Sequence, residues 1–535
     1  MIRTIFLSLL VAASAFADAE RARALMANGD FAGAATVWAE MDESAASLSG
    51  LASAQRWMGF NKLARANLEK ALGLASATET TAIQNALGEA LMLNDKDAAA
   101  EHLEAALAAA KIDAEAAVPA ILLNLGNLAT LNKDDKAALA YFDDALAHSP
   151  APMLSARLRA NLIAVASAER AAAQLTEARS IQLPATYDSV LLFITLGKLA
   201  QAAGDADSAN TFANSAQMAA KGLHASSRSQ AAGFAGQLAE EADDIDRALK
   251  LTRQALFAAQ QTGSAHLLYR WQWQLGRLRQ AQGDLDAAVA AFEFAMRSVS
   301  SIRHDLSVGL WRQGRSYRDT VGSLYYGLAD LHLQRAKNSG DVAHLHQARS
   351  VIEAFKSAEL EDYFQDDCVN LSSAQEVSLD QVASGAAIIY IIPLADRTEV
   401  LVGDAKGLRS TRIPVGAAEL TKTVRKFRLN LETRNTNRYL REAQQLYRWL
   451  LEPIVEDLEA AEIDTLVFVP DGALRTIPMG ALHDGKNFLI SRFAVAITPG
   501  LTLLDPKPVV RSEISLFINA LSEPVQGYPA LPFVA

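Results

Sequence analysis

The chain carries a single cysteine, Cys368. No internal disulfide can form, and one thiol cannot build a cysteine-rich metal centre. Proline is scarce between residues 18 and 365, where Pro119, Pro150, Pro152 and Pro184 are the only four. That scarcity leaves long stretches in which a helix meets no breaker. Beyond the N-terminus no segment approaches the roughly 18 continuous apolar residues of a membrane-spanning helix, so stable membrane insertion is not expected. Positive charge is in the minority, with 50 Lys and Arg against 61 Asp and Glu for a net of −11. Nucleic acid and anionic lipid are therefore poor candidates for main partners. Walker-type glycine loops, HExxH, paired CxxC and GxSxG elbows are all missing. No cofactor, metal site or catalytic residue is assigned.

What is present begins with an export signal. Arg3 precedes a short, mostly apolar run from Ile5 to Ala13. Ala15-Phe16-Ala17 then sets small residues where a signal peptidase reads, and Asp18 follows. This layout predicts a cleaved signal peptide over 1–17 and an exported, periplasmic mature chain.

Residues 18–320 repeat. A short Gly, Asp or Asn turn is followed by Ala, and seven residues later by a second Ala, usually with Leu behind it. Asn94-Asp95 leads to Ala99 and Ala106-Leu107, and Asp134-Asp135 to Ala138 and Ala145-Leu146. Gly204-Asp205 leads to Ala209 and Ala216, Asp243-Asp244 to Ala248 and Ala255-Leu256, and Gly283-Asp284 to Ala288 and Ala295-Met296. Gly29-Asp30 before Ala34, and Ala64 before Ala71-Leu72, are weaker copies. A wider gap calls for a degenerate repeat near 160–180. The pattern resembles the tetratricopeptide (TPR) family, a helix–turn–helix unit of about 34 residues. Alanines at these positions let two antiparallel helices approach, Phe142 and Phe292 fill the space between, and Gly126 and Gly276 mark the crossing on the preceding helix. One hairpin cannot bury its apolar face, so the units must stack into an α-solenoid. The resemblance implies a protein or peptide ligand in the groove of that solenoid.

Residues 321–369 read as junction helices, one opening at Ser323 to Ala329 and another from Ala343 to Phe364. The stretch Ala354-Phe355-Lys356-Ser357-Ala358-Glu359-Leu360-Glu361-Asp362-Tyr363-Phe364 and its continuation to Val369 resembles the helix that precedes CHAT domains in TPR-linked proteins. Its charges read most simply as the wet face of a capping helix. Over 370–535 the period changes. Strands are expected at Ala386–Ile392, Thr398–Val402, Leu408–Ile413, Leu466–Val469, Ala494–Thr498 and Ile514–Ile518. A helix with Leu440, Ala443, Tyr447, Leu450, Ile454 and Leu458 on one face should kink or restart at Pro453. Strands separated by helices argue for an α/β sheet, with Leu466–Val469 as a central parallel strand.

Val469-Pro470-Asp471-Gly472, Leu474-Arg475-Thr476-Ile477-Pro478 and Ala481-Leu482-His483-Asp484-Gly485 resemble the CHAT family in order, as do Thr498-Pro499, Leu521-Ser522-Glu523-Pro524 and Leu531-Pro532. That resemblance implies a caspase-like fold with a His then Cys catalytic pair. Here the candidates are His483 and Cys368, in the reverse order, and Cys368 precedes every expected strand. Neither fits, so the family's pair is expected after Ala535, this chain is expected to be an incomplete and inactive copy, and Cys368 reads as a small packing residue. His483 with Asp484 supports a different enzyme only weakly. The alternative function is a non-catalytic periplasmic scaffold that works through the TPR groove. His344 and His346 read as surface, and Arg425, Lys426, Arg428, Arg434, Arg438 and Arg441 as the solvated faces of two helices.

Overall fold

The computed structural model describes residues 16–303, 316–364, 385–433 and 436–501. Two compact units result, one up to Arg335 and one from Ala336. The division falls within a single helix, further along than the expected junction at 320/321.

The first unit is a run of antiparallel helical hairpins. They are α1 (16–28) with α2 (Phe31–Glu40), α3 (Ala45–Trp57) with α4 (Asn61–Leu74), α5 (Ala77–Leu91) with α6 (Lys96–Asp113), and α7 (Val118–Leu131) with α8 (Asp135–Ala147). Then come α9 (Pro152–Val165) with α10 (Ala168–Arg179), α11 (Tyr187–Ala202) with α12 (Ala206–Ala220), α13 (Ala225–Glu241) with α14 (Ile245–Thr262), and α15 (Ala265–Ala281) with α16 (Leu285–Ser301). The helix α17 (Tyr317–Ser339) begins six residues ahead of its expected opening. The pair α9 and α10 fills the gap where the repeat signature fades.

The repeated turn residues start the even-numbered helices. Asp30, Asp95, Asp134, Asp205, Asp244 and Asp284 each accept a hydrogen bond from the backbone N–H three residues on. These side chains satisfy donors that a helix start leaves unpaired. The repeated alanines are the contact points: Ala99, Ala106, Ala138, Ala145, Ala216, Ala248, Ala255, Ala288 and Ala295 are fully buried. Polar rungs join successive odd-numbered helices. The Nδ2 of Asn124 donates to Asn85 Oδ1 at 2.9 Å, Asn161 donates to Asn127 at 2.7 Å, and Arg157 pairs with Asp188 at 3.0 Å.

The array also meets itself at long range. The backbone N–H of His224 donates to Asn28 Oδ1 at 2.8 Å, across 196 residues of sequence. Beside it the rings of Phe31 and Trp57 stack at 5.2 Å, and Tyr187 sets its edge against both at 5.0 and 5.6 Å. Gly29 is required at this meeting: its φ is +89°, and a Cβ there would lie 2.6 Å from the Tyr187 ring.

The second unit holds a five-stranded sheet ordered β3-β2-β1-β4-β5. The strands are β1 (Ala386–Pro393), β2 (Thr398–Asp404), β3 (Gly407–Ile413), β4 (Thr465–Val469) and β5 (Ala494–Ile497). It is mixed, with β1, β2 and β3 an antiparallel meander and β4 and β5 parallel to β1. As expected, Leu466–Val469 falls in an internal strand, β4, paired parallel to β1 on one side and β5 on the other; its Val467 is half-buried, whereas β1 and β2 are buried along almost their whole length. One face of β1 packs against α19 (Ala417–Glu432), α20 (Tyr439–Leu450) and α21 (Glu452–Ala460). The break between α20 and α21 comes at Leu451, with Pro453 in the first turn of the restarted helix. The other face of β1 meets α18 (Ala343–Phe364). The link from β4 to β5 is built from short 3₁₀ turns, with no α-helix. The expected strand at Ile514–Ile518 and residues 1–15 lie outside the described residues, as does Cys368.

Candidate functional site

Two places are candidates: the carboxyl edge of the sheet, where open α/β folds place their ligands, and the shared face of the odd-numbered helices.

The sheet edge is filled by the protein itself. The helix α18 sends Glu353, Lys356 and Glu359 from one face, at spacings of three. Glu353 is buried, and its Oε1 accepts from the Tyr390 hydroxyl at 2.7 Å and from the Leu501 N–H at 3.1 Å. Lys356 is 1% exposed; its Nζ donates to the Pro470 carbonyl at 2.6 Å and lies 4.0 Å from Asp471. Arg475 bridges Glu359 at 2.7 Å and the buried Asp471 at 3.1 Å. These charges were expected to be solvated, and the structure corrects that reading. The residues following β4 and β5 offer carbonyls and N–H groups that need partners, and the charged face of α18 supplies them.

His483 lies in a turn near the edge strand. Its Nδ1 accepts the Gly485 N–H at 2.9 Å, and its ring stands edge-on to Phe488 at 4.9 Å. Asp484 accepts from the N–H groups of Lys486 and Asn487, both at 2.7 Å, and pairs with Arg492 at 3.0 Å. Burial raises the Asp484 carboxyl, but those N–H groups and Arg492 outweigh it and hold the acid below its ordinary value. His483 and Asp484 are thus each engaged in closing the same loop. Among the basic residues, Arg425, Arg428, Arg438 and Arg441 are exposed, while Lys426 pairs with the buried Glu442 at 2.7 Å. Glu442 escaped notice because it lies next to Ala443 on the apolar face. Arg434 falls outside the described residues. His344 bonds Gln347 at 2.9 Å, and no group of His, Cys, Asp and Glu among the described residues is arranged to hold a metal.

The odd-numbered helices carry two cavities. One, of about 540 Å³, lies between α1, α3 and α5 over the indole of Trp38 and is largely apolar. The other, of about 470 Å³, is half-open and lined by α11, α13 and α15. Its wall combines Ile194, Phe234 and Trp271 with the polar side chains of Gln230 and Gln237. Trp273 adds an aromatic surface against which the Arg277 guanidinium lies, 5.1 Å from the ring centre. Arg277 is held by both oxygens of Glu240, at 2.7 and 2.8 Å. Lys198 and Arg270 also line the cavity, and both are exposed to it. No carboxylate among the described residues lies within ion-pairing distance of either. Crowding by the cavity wall lowers the Lys198 ammonium below the usual lysine range, and the Arg270 charge lowers it further. Sequence reasoning missed this site, because its residues come from three hairpins and the repeat signature marks only buried positions.

The fold defines the class: an array of TPR-type helical hairpins followed by a small mixed α/β sheet. Within it, residues 440–529 match the CHAT domain family, so the chain combines a TPR-like array with a CHAT domain. No curated protein matches the chain. Among solved structures it is similar to Pseudomonas aeruginosa pilF, at 19% identity over 40% of this chain and 94% of that one, with a TM-score of 0.28. It is also similar to the C-terminal part of a TPR repeat-containing protein from Cytophaga hutchinsonii, at 13% identity over 52% and 94%, with a TM-score of 0.24. A third similarity is to the APC/C hetero-tetramer Cut9–Hcn1, at 12% identity over 64% and 82%, with a TM-score of 0.30. Among the described residues no helix is long and apolar enough to cross a membrane.

Proposed function

We propose that this chain is an exported recognition protein whose helical array binds a segment of a partner protein on the odd-numbered helices. The observation that carries this reading is the 470 Å³ cavity, which joins an aromatic wall to two cations that no carboxylate among the described residues pairs. Pockets of roughly 300–1,000 Å³ with apolar walls and a few convergent polar groups are the usual form of a binding site. The CHAT-type unit is proposed to serve as a platform and not as a peptidase in this chain. In support, His483 and Asp484 are engaged in their own loop, and charged residues of α18 fill the carboxyl edge of the sheet.

The test is site-specific photo-crosslinking in the exporting cell, with a benzoyl-phenylalanine placed at Gln237 in the cavity or at Lys250 on the exposed side of α14. A discrete adduct from Gln237, and none from Lys250, is expected. Adducts of equal yield from both positions would overturn the groove reading. Export predicts that the mature chain recovered from the periplasm begins at Asp18; recovery from the cytoplasm with Met1 retained would sink it. Inactivity predicts no thiol-dependent peptide cleavage, and cleavage abolished by Cys368→Ala would refute it.

A further inference from the structure

We infer that the cavity between α11, α13 and α15 is selective for an acidic segment of its protein partner, whose carboxylates would lie between Lys198 and Arg270. This rests on the groove reading and adds the chemistry of the ligand.

The first argument is charge. The chain as a whole is acidic, with a net of −11. A cavity that presents two cations to solvent without a carboxylate partner among the described residues runs against that background. Several other cations on the odd-numbered helices are matched by carboxylates: Arg56 pairs with Glu89, Arg157 with Asp188, and Arg277, in this same cavity, with Glu240. The acidic groups nearest the cavity on α13 are already occupied. Glu240 holds Arg277, and Glu241 accepts from Gln201 and Gln237. Neither is left to neutralise Lys198 and Arg270.

The second argument is geometry. Lys198 is carried by α11 and Arg270 by α15, on either side of α13, so the two charges address one bound group from two helices. Their mutual repulsion is a standing cost in the empty groove, and an anion set between them would remove it. Arg270 offers a planar fork suited to a carboxylate, while Lys198 offers a point charge that adapts to it.

The third argument is the apolar wall. Trp273, with Phe234 and Ile194 deeper in the cavity, gives side chains flanking an acidic residue a surface to cover. A small inorganic anion would use the cations and leave that wall wet. The half-open form of the cavity suits a chain passing across the helices, and the occupant is therefore a peptide segment with alternating acidic and apolar residues.

The test uses the mature chain and two fluorescent ten-residue probes, one alternating Glu with Leu and one alternating Gln with Leu. Fluorescence anisotropy should show the glutamate probe binding at least tenfold more tightly at low salt, with the preference shrinking as salt rises. Lys198→Glu and Arg270→Glu should each weaken the glutamate probe tenfold or more while leaving the glutamine probe within twofold. Both residues are exposed, so these variants should melt within a few degrees of the parent. Inorganic phosphate at millimolar concentration should not displace the probe. Equal binding of the two probes, no effect of charge reversal, or displacement by phosphate would each overturn the acidic-segment proposal. The groove reading is tested separately by Trp273→Ala. If that change weakens both probes while charge reversal changes neither, the groove binds peptide without selecting acid. If neither probe responds to Trp273→Ala or to charge reversal, the groove reading fails as well.

Discussion

The ring of Phe142 occupies the space that a side chain on Gly126 would need: a Cβ built on that glycine would lie 2.2 Å from Phe142 Cε1. The arrangement recurs along the array. Phe292 closes to 2.3 Å of the same point on Gly276, Phe234 to 2.6 Å on Gly197, and Leu103 to 2.5 Å on Gly88. In each case a large residue presses against a glycine on a neighbouring odd-numbered helix. Gly126→Ala is expected to destabilise the array by about 1–3 kcal/mol, because added volume in a packed crossing forces the helices apart. The gain in helix propensity, about 1 kcal/mol, offsets only part of this. Gly73, with nothing within 4 Å of its Cβ position, is the control: Gly73→Ala should stabilise by up to about 1 kcal/mol. Urea unfolding of the two variants checks the opposite signs.

The cap at Asp205 makes the start of α12 sensitive to acid. Asp205 accepts from the Ser208 side chain and backbone, and these bonds hold its carboxyl below the ordinary aspartate value of 3.8. A depressed folded pKa means that the unfolded chain binds the proton more readily. The stabilisation is therefore fully present above about pH 4 and is lost as the pH falls through the depressed folded value. Asp205→Ala should cost about 0.5–2 kcal/mol at neutral pH. The gap between variant and parent should narrow as the pH falls below the ordinary aspartate value, as measured by thermal melts across the acid range.

The second unit depends on a buried charge. Lys356 reaches the Pro470 carbonyl and faces Asp471 in a place that water does not enter. Removing Lys356 takes the donor from the buried Pro470 carbonyl, while Asp471 keeps Arg475, at a cost of about 1–3 kcal/mol. Lys356→Ala should therefore speed amide hydrogen exchange along β1 and β4 and leave α5 to α8 unchanged. Equal protection in parent and variant would show that Lys356 is dispensable.

The meeting of Tyr187 with Phe31 and Trp57 ties the first hairpins to the middle of the array. Tyr187→Ala removes the central ring and leaves a hole, a change that typically costs a few kcal/mol for a buried aromatic. Because Tyr187 is only partly buried, the smaller end of that range is expected. Exchange at residues 24–31 should rise sharply, while that in α13 and α14 should hold.

Much of the array was legible in the sequence because its signals are local. A turn residue that caps a helix and alanines seven residues apart act within one hairpin, and the structure places those alanines at fully buried contacts. Even the contacts of Gly126 with Phe142 and Gly276 with Phe292 could be read, since each pair joins adjacent helices. The strands of the sheet unit were likewise legible from their apolar runs, with ends shifted by one or two residues.

What the sequence determined by itself was the class of each segment, because period, capping and side-chain size are properties of neighbouring residues. Only the tertiary structure decided which charges are buried and which residues share a site. Lys356 and Pro470 are 114 positions apart, so nothing near Lys356 could tell that its charge would be wanted inside. Lys198 and Arg270 come together because their hairpins stack on either side of the hairpin α13 and α14, and His224 finds Asn28 because the array turns back on itself. These relationships depend on how units pack, and packing is fixed by the sum of many contacts that no short stretch of chain contains.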